Sequence, residues 1–432
     1  MAIDKDLATK VLANLDKDEL AHLACDLVNL PSPTGREKAV ADFILDWYKA
    51  NGLKAIRQEV ELDRPNAVGI LKGQGKGLTL MFNGHLDTSF TGADEDLRIV
   101  AHVEPESELR GSIRNGKVYG LGISNMKGGV AAFMMAAKAI GTSGVQLKGD
   151  LILAGVVGEI SRTPIGPFQT QEYRGEGIGT RHLLTHGIQS DYAVVADGSD
   201  LNIVWTQTGV ADFKITTFGK ARAAWGTKRS THPPVELNAI IKMTKIIEAL
   251  EQWANRFEEQ HIYNSPTGPI LPKVNIGAIE GGAPYRPNYL PGVCSIYVDV
   301  RIPPQVRPLT VQYEVESVLS SLGIEYDLEL YRSLMGHEGK GVEPLVKSLE
   351  DVHEYLFGAK PKPETPERAS IWTDTNVYNE LGIPAIKFGP RGKTIGPRAE
   401  EIKIDDMVKA AQVYALLALD ICNRERPGTT GP

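Results

Sequence analysis

Two residues that can do chemistry, His85 and Asp87, stand two apart just after an apolar run at residues 78–82. An imidazole binds a metal ion through one ring nitrogen while a nearby carboxylate takes the other N–H and fixes the tautomer, so this spacing suits a metal site. Two further apolar runs end in the same manner, residues 151–157 leading to Glu159 and residues 192–196 leading to Asp197. Asn125, in Gly-Leu-Gly-Ile-Ser-Asn-Met-Lys-Gly-Gly, adds an amide oxygen. Three strand-like runs each finishing at a polar residue say more than any one of them alone.

The elements that must position these residues are legible as well. Continuous apolar runs of this length read as parallel strands buried on both faces, and open α/β sheets keep their chemistry at the carboxyl ends of such strands. Helices are expected over residues 16–30 and 37–51, the second closed by Gly52, with strands at 54–60 and 67–71. Residues 126–140 are Ala-rich and apolar almost all round, as in a helix packed on both sides, with Gly128 and Gly129 allowing close approach. The polar insert 91–118 reads as a surface loop. From Thr206 the texture changes to alternating strands at 211–218, 273–279 and 293–301 with helices at 235–253 and 309–322, a small α+β arrangement. A helix at 342–357, a strand at 383–388 and a helix at 404–422 then resume the first pattern. The expected fold is an α/β catalytic domain, a central mostly parallel sheet flanked by helices, built from residues 1–205 and 324–423. A smaller α+β lid or dimerisation domain, 206–323, interrupts it, and 424–432 form a flexible tail.

Composition excludes several function classes. A net charge of −7 leaves no basic footprint for nucleic acid. No run approaches eighteen apolar residues and the first residues carry no signal-peptide core, so no membrane partner and a cytoplasmic location are expected. Cys25, Cys294 and Cys422 lie far apart, which indicates neither a disulfide framework nor a structural zinc site.

In these motifs the chain resembles the co-catalytic metallopeptidases and deacylases that include acetylornithine deacetylase, succinyl-diaminopimelate desuccinylase and bacterial carboxypeptidase G. The resemblance is carried by Gly84-His85-Leu-Asp87-Thr, Asn125-Met-Lys-Gly-Gly, Gly158-Glu159, Asp197, Asn288 with Pro291, Asp299 with Arg301, Thr373-Asp374, and Leu381-Gly-Ile-Pro leading to Phe388-Gly-Pro. It implies a small-molecule hydrolase, often dimeric through the lid. It also implies that His85 and Asp197 bind metal, Asp87 orients His85 and Glu159 is the general base. Departures from the family pattern are equally specific. The family places an aspartate bridging two ions where this chain has Asn125, and an amide has one coordinating oxygen and no charge. A second acid is expected after the base, where Ile160 and Ser161 stand. The last family ligand, a histidine after Phe388-Gly-Pro, is missing near Ile395 and Gly396, and the lid histidine expected near residues 219–223 is missing too, with His232 nine residues further on.

One ion per subunit, Mn, Fe, Co or Zn, held by His85, Asn125 and Asp197 with Glu159 and Asp87 in catalytic roles, is therefore expected. Such a site offers an oxyanion less help than two ions and a histidine. A substrate that spreads its own charge needs less, so hydrolytic deamination of an electron-poor aromatic amine such as 5-nitroanthranilate, as in the nitroanthranilate aminohydrolases of this fold, is the sharpest reading. The alternatives are an N-acyl amino acid deacylase or dipeptidase with an atypical site that recruits, for example, Ser161, and a non-catalytic binding protein on the same fold. Retention of Glu159 argues against the last. For the substrate, Arg286, Asn288 and Arg301 are candidates for a carboxylate, Arg222 with Trp225 for an aromatic acid, and His232 for an oxyanion. Each arginine also has a plainer reading as a solvated or ion-paired residue, strongest for Arg301 beside Asp299. His182 and His186, four apart, are ligand-compatible but sit where Gly187 ends a helix.

Overall fold

β-Branched and aliphatic residues crowd the strands that carry the candidate site, and this is where the chain buries most completely. The structure, a computed structural model, describes residues 4–92, 110–160, 164–231, 234–396 and 399–426. These divide into two units. The first comprises Met1–Trp205, Gly339–Glu364 and Thr373–Pro432. Its six-stranded sheet runs in the order Lys54–Glu61, Arg64–Leu71, Leu151–Val156, Leu80–His85, Tyr192–Val195 and Ala385–Lys387. The last four are parallel and the first two join antiparallel, giving the mostly parallel α/β sheet the sequence implies. Every residue of Leu80–His85 and of Leu151–Val156 is buried, as continuous apolar strands covered on both faces must be.

The helix Gly128–Ser143 lies against this sheet with nearly its whole surface buried. Two glycines make the seat: a Cβ on Gly84 would stand 2.7 Å from Val130 Cγ2, and one on Gly129 would stand 2.1 Å from the Ala196 carbonyl oxygen. Close contact there fixes where the residues just before the helix, Asn125 among them, meet the strand ends. The helix Ile404–Cys422 packs beside it, and Phe82, fully buried, sits between Phe133 and Tyr414 at ring separations of 6.3 and 4.8 Å.

The second unit comprises Thr206–Glu338 and Thr365–Trp372. Its four-stranded antiparallel sheet has the order Lys273–Gly281, Val293–Ile302, Gly209–Phe218, Tyr326–Leu334. Helices Ala239–Gln260 and Pro308–Ser321 bury one face over Phe213, Ile215, Ile296 and Val298. The last strand lies past residue 323, where the sequence reading ends the insertion; its half-exposed alternation is that of a sheet edge.

Two expectations need correction. The insert at 91–118 is not all loop: Ser112–Arg114 and Lys117–Tyr119 form a hairpin that joins Ala399–Lys403 and Lys393–Gly396 in a second four-stranded sheet. Its turn is Asn115-Gly116, both at positive φ, the pair that matches strand twist, and strands of three residues are too short to show a period. Residues 93–109 lie outside the described residues. The start of the tail is also held, since the Leu78 N–H donates to the Arg424 carbonyl at 3.0 Å and Arg426 pairs with Asp191 at 3.0 Å; residues 427–432 are outside the described residues. Among the described residues no helix is long and apolar enough to cross a membrane.

Phe82→Ala removes an aromatic side chain from the middle of the first unit, and a loss of about 3–5 kcal/mol in unfolding free energy is expected by denaturant titration. A loss under about 1 kcal/mol would mean that the site strand is not seated on this cluster.

Candidate functional site

Parallel register brings three chain segments to one edge. Gly84 pairs with Gly155 and His85 with Val156, while Asn83 pairs with Val195, so the residues following each strand emerge side by side. His85, 3% exposed, is held first by Asp87: its Nδ1 lies 2.9 Å from the Asp87 carbonyl oxygen and 3.5 Å from Asp87 Oδ1. Nε2 is thereby turned to Asn125 Oδ1 at 3.0 Å and Glu159 Oε2 at 3.8 Å. Two donors that share an ion at about 2.1 Å each stand roughly 3 Å apart, the spacing of the first pair. Asp197 leaves the neighbouring strand with its Oδ1 accepting the Gly198 N–H at 2.6 Å, and it is near enough to act on the charge of His85.

The Asp87 carboxylate is held by three donors. Oδ2 accepts the Thr34 hydroxyl at 2.9 Å and the Ile160 N–H at 3.0 Å, and Oδ1 accepts the Glu159 N–H at 3.1 Å. Asp87 therefore holds both His85 and the backbone of Glu159, which stands next to it in space. Thr34 bonds in addition to the Ile160 carbonyl at 3.0 Å, and Arg64, buried with Glu37 in a two-bonded ion pair at 3.0 and 2.7 Å, ties this layer to the carbonyls of Gln171 and Arg174. From there the Glu176 N–H returns to the Glu159 carbonyl.

Asn125 is placed by a different clamp. The turn Ile123–Lys127 has its Ser124 and Asn125 N–H groups on Glu400 Oε2, at 2.8 and 3.3 Å, and Met126 Sδ accepts the His85 N–H at 3.3 Å. Glu400, Thr34 and Glu37 were not singled out from the sequence: Glu400 accepts from backbone N–H groups, and the side-chain partners of Thr34 and Glu37, Asp87 and Arg64, lie far along the chain, so no spacing marks them.

Charge at this edge is strongly coupled. Burial works against a charged His85, but Glu159, Asp87 and Asp197 outweigh it and raise the imidazole to about 10. Burial is also the chief reason that Glu159 is lifted well above the ordinary carboxylate range, with His85 opposing and Asp374 adding to the rise. Asp374 itself, 1% exposed, is pushed up to about 7 by burial, with the Thr180 hydroxyl opposing the rise.

Among the sequence candidates, the structure thus brings His85, Asp87, Asn125 and Glu159 together, with Asp197 beside them. Among the described residues no three His, Cys, Asp or Glu side chains converge on one point. Arg222, Trp225, Arg286, Asn288 and Arg301 all belong to the second unit. Arg301 spends its Nε on Asp299 at 2.8 Å, the ion-pair reading; Trp225 is 75% exposed with its ring edge toward Tyr289, and Arg286 and Asn288 are exposed. His232 and Ser161 lie outside the described residues. His182 and His186 stack on each other at 3.7 Å on the helix surface.

The chain is similar to known proteins over most of its length. Residues 81–420 match peptidase family M20/M25/M40. The chain is 27% identical to the N-formyl-4-amino-5-aminomethyl-2-methylpyrimidine deformylase of Halalkalibacterium halodurans, over 96% of this chain and 97% of that one. It is 24% identical to the succinyl-diaminopimelate desuccinylase of Buchnera aphidicola, over 91% and 96%. A Bacillus subtilis structure described as a dinuclear metal binding peptidase shares the fold, with TM-score 0.61, 15% identity and coverage of 97% and 99%.

A raised imidazole must lose its proton before Nε2 can bind an ion, so metal affinity should climb about tenfold per pH unit between pH 6 and 8, with close to one proton released per ion bound. Calorimetry in buffers of different ionisation enthalpy reads that number; release near zero contradicts the assignment of His85 as a ligand.

Proposed function

The chain belongs to peptidase family M20/M25/M40 and is a metal-dependent hydrolase of C–N bonds in small substrates, and from that premise we propose that it works with one divalent ion per subunit. His85 Nε2, Asn125 Oδ1 and Asp197 hold the ion, and Glu159 is the general base. The observation that carries this reading is the meeting of His85 Nε2 with Asn125 Oδ1 at 3.0 Å and Glu159 Oε2 at 3.8 Å.

Charge bookkeeping supports a single ion. Where the family pattern has two carboxylates, this chain has Asn125 and Ile160, so two negative charges are missing, and one divalent cation fewer restores the balance. Ile160 is committed elsewhere, its N–H on Asp87 and its carbonyl on Thr34. A divalent ion bound here supplies Lewis-acid activation of water. Asp87 keeps His85 in the tautomer that presents Nε2. Glu159 takes the proton of the attacking water and returns it to the leaving nitrogen, a task suited to a carboxylate whose affinity for protons is raised.

The substrate of this reading is an N-acyl derivative of a small carboxylate-bearing amine. Two relatives aligned over nearly the whole chain, the deformylase and the desuccinylase, bear names of acyl removal from nitrogen. Deamination of an electron-poor aromatic amine such as 5-nitroanthranilate is the second reading, favoured by the neutral Asn125 amide on the ion, which suits a substrate that holds developing charge on its own ring. A homodimer through the second unit belongs to the same reading: its edge strand Lys273–Gly281 is largely exposed, Ile279 at 56%.

Elemental analysis should find one tightly held ion per chain, and two would overturn the single-ion reading. Carboxylate release from N-formyl and N-succinyl amines, set against ammonia release from nitro-substituted aminobenzoates, decides between the two substrates. Glu159→Gln should lower kcat by about 100-fold to 10,000-fold with metal content unchanged; full activity in that variant would place the base elsewhere.

A further inference from the structure

Lys387 is fully buried, and its Nζ has no hydrogen-bond partner. Among the described residues of the first unit, the buried side-chain nitrogens without an acceptor are this one and Asn379 Nδ2. Asn379 sits by the amino end of the strand Ala385–Lys387, where its Oδ1 accepts the Ala385 N–H. Lys387 ends that strand at the carboxyl edge, paired in register with Val195, two residues before Asp197. The backbone beyond it is pressed onto the same place: a Cβ on Gly389 would stand 2.7 Å from the Asp197 carbonyl oxygen, and the Ser199 N–H donates to the Gly389 carbonyl. The side chains that act on the Lys387 amine are Asp197, Glu364 and Glu159, with Arg391 opposing, while burial pushes its proton affinity down. It therefore stands among the groups that hold the ion and the proton, yet none of them bonds to it.

A buried donor left without an acceptor is costly and needs an explanation, and at a hydrolytic edge the natural acceptor is an oxygen that arrives with the substrate. We propose that Lys387 is a further catalytic residue whose Nζ donates a hydrogen bond to the substrate oxygen that gains negative charge as water adds. This rests on the hydrolytic reading of the same strand ends. The amine carries at least two N–H groups whether or not it is protonated, so the role depends on an open donor and not on a particular charge state. No bond is made or broken at Lys387. Its N–H is in place before the reaction, and the electron pair moving onto the oxygen strengthens the contact, which is how a fixed donor lowers a barrier.

Lys387→Met keeps an unbranched side chain, one atom shorter, and removes the donor; Lys387→Arg keeps donors. With metal content and thermal midpoint followed in each, Lys387→Met should lower kcat by about 100-fold or more while KM changes by less than about threefold, and Lys387→Arg should retain part of the rate. Turnover of Lys387→Met within threefold of the parent overturns the proposal, as does a loss of metal that accompanies the loss of rate. A readout independent of turnover is the binding of inorganic phosphate to the metal-loaded enzyme by calorimetry, expected to weaken at least tenfold in Lys387→Met. Equal phosphate affinity in the two proteins overturns the assignment of the donor. A parent enzyme that turns over neither amides nor aromatic amines, with the phosphate difference intact, instead overturns the hydrolytic reading and leaves Lys387 as an anion-binding donor.

Discussion

The Asp87 carboxylate, with three donors on two oxygens, is the constraint on which the site depends. Thr34 reaches it from the loop that follows the helix Lys17–Val28, and the Glu159 and Ile160 N–H groups reach it from the end of Leu151–Val156. With those donors in place, Asp87 meets His85 Nδ1 through its carbonyl oxygen at 2.9 Å and its Oδ1 at 3.5 Å. Because two of the donors belong to the segment that carries Glu159, the distance from Glu159 to His85 is set by the same group that orients the imidazole. Hydrogen bonds to a charged acceptor are the stronger kind, and a buried group bound from three sides leaves little room for alternative arrangements.

Around that group the fold supplies rigidity in layers. Parallel strands deliver the three chemical segments at one edge, and the glycine seat at Gly84 and Gly129 brings the helix Gly128–Ser143 against the sheet, so that the turn before it reaches His85. The buried Arg64–Glu37 pair secures the next layer. A pair so deeply buried is a modest source of net stability, since desolvation offsets most of its attraction. Its value lies in direction: five guanidinium donors in a fixed fork distribute themselves over Glu37, Glu61 and two carbonyls, and all of these are then fixed relative to one another.

Much of this was legible in the sequence, for physical reasons that also explain what was not. The runs around Phe82, Leu153 and Val194 are apolar without interruption because both faces of their strands are covered, and such strands announce themselves and the residues that follow them. His85, Asp87, Glu159 and Asp197 were found that way. Asn125 was found as a departure from a family pattern, and its amide stands 3.0 Å from the imidazole. The hairpin around Asn115-Gly116 was missed because three-residue strands have no period. Glu400 and Thr34 were missed because their partners are backbone N–H groups or residues more than fifty positions away. Lys387, in an otherwise apolar strand, passes in sequence for an ordinary edge lysine; only burial shows that it has no water to face.

The carboxylate of Glu400 holds the turn that presents Asn125, and 275 residues separate the two. In the order of synthesis, His85, Asn125, Glu159 and Asp197 all precede the second unit, whereas the clamp on Asn125 follows it. A contact of such long range cannot form on the nascent chain until the intervening unit has been made. The turn that carries Asn125 thus waits for its clamp through the synthesis of a whole second unit, so that the arrangement at the strand ends is completed late.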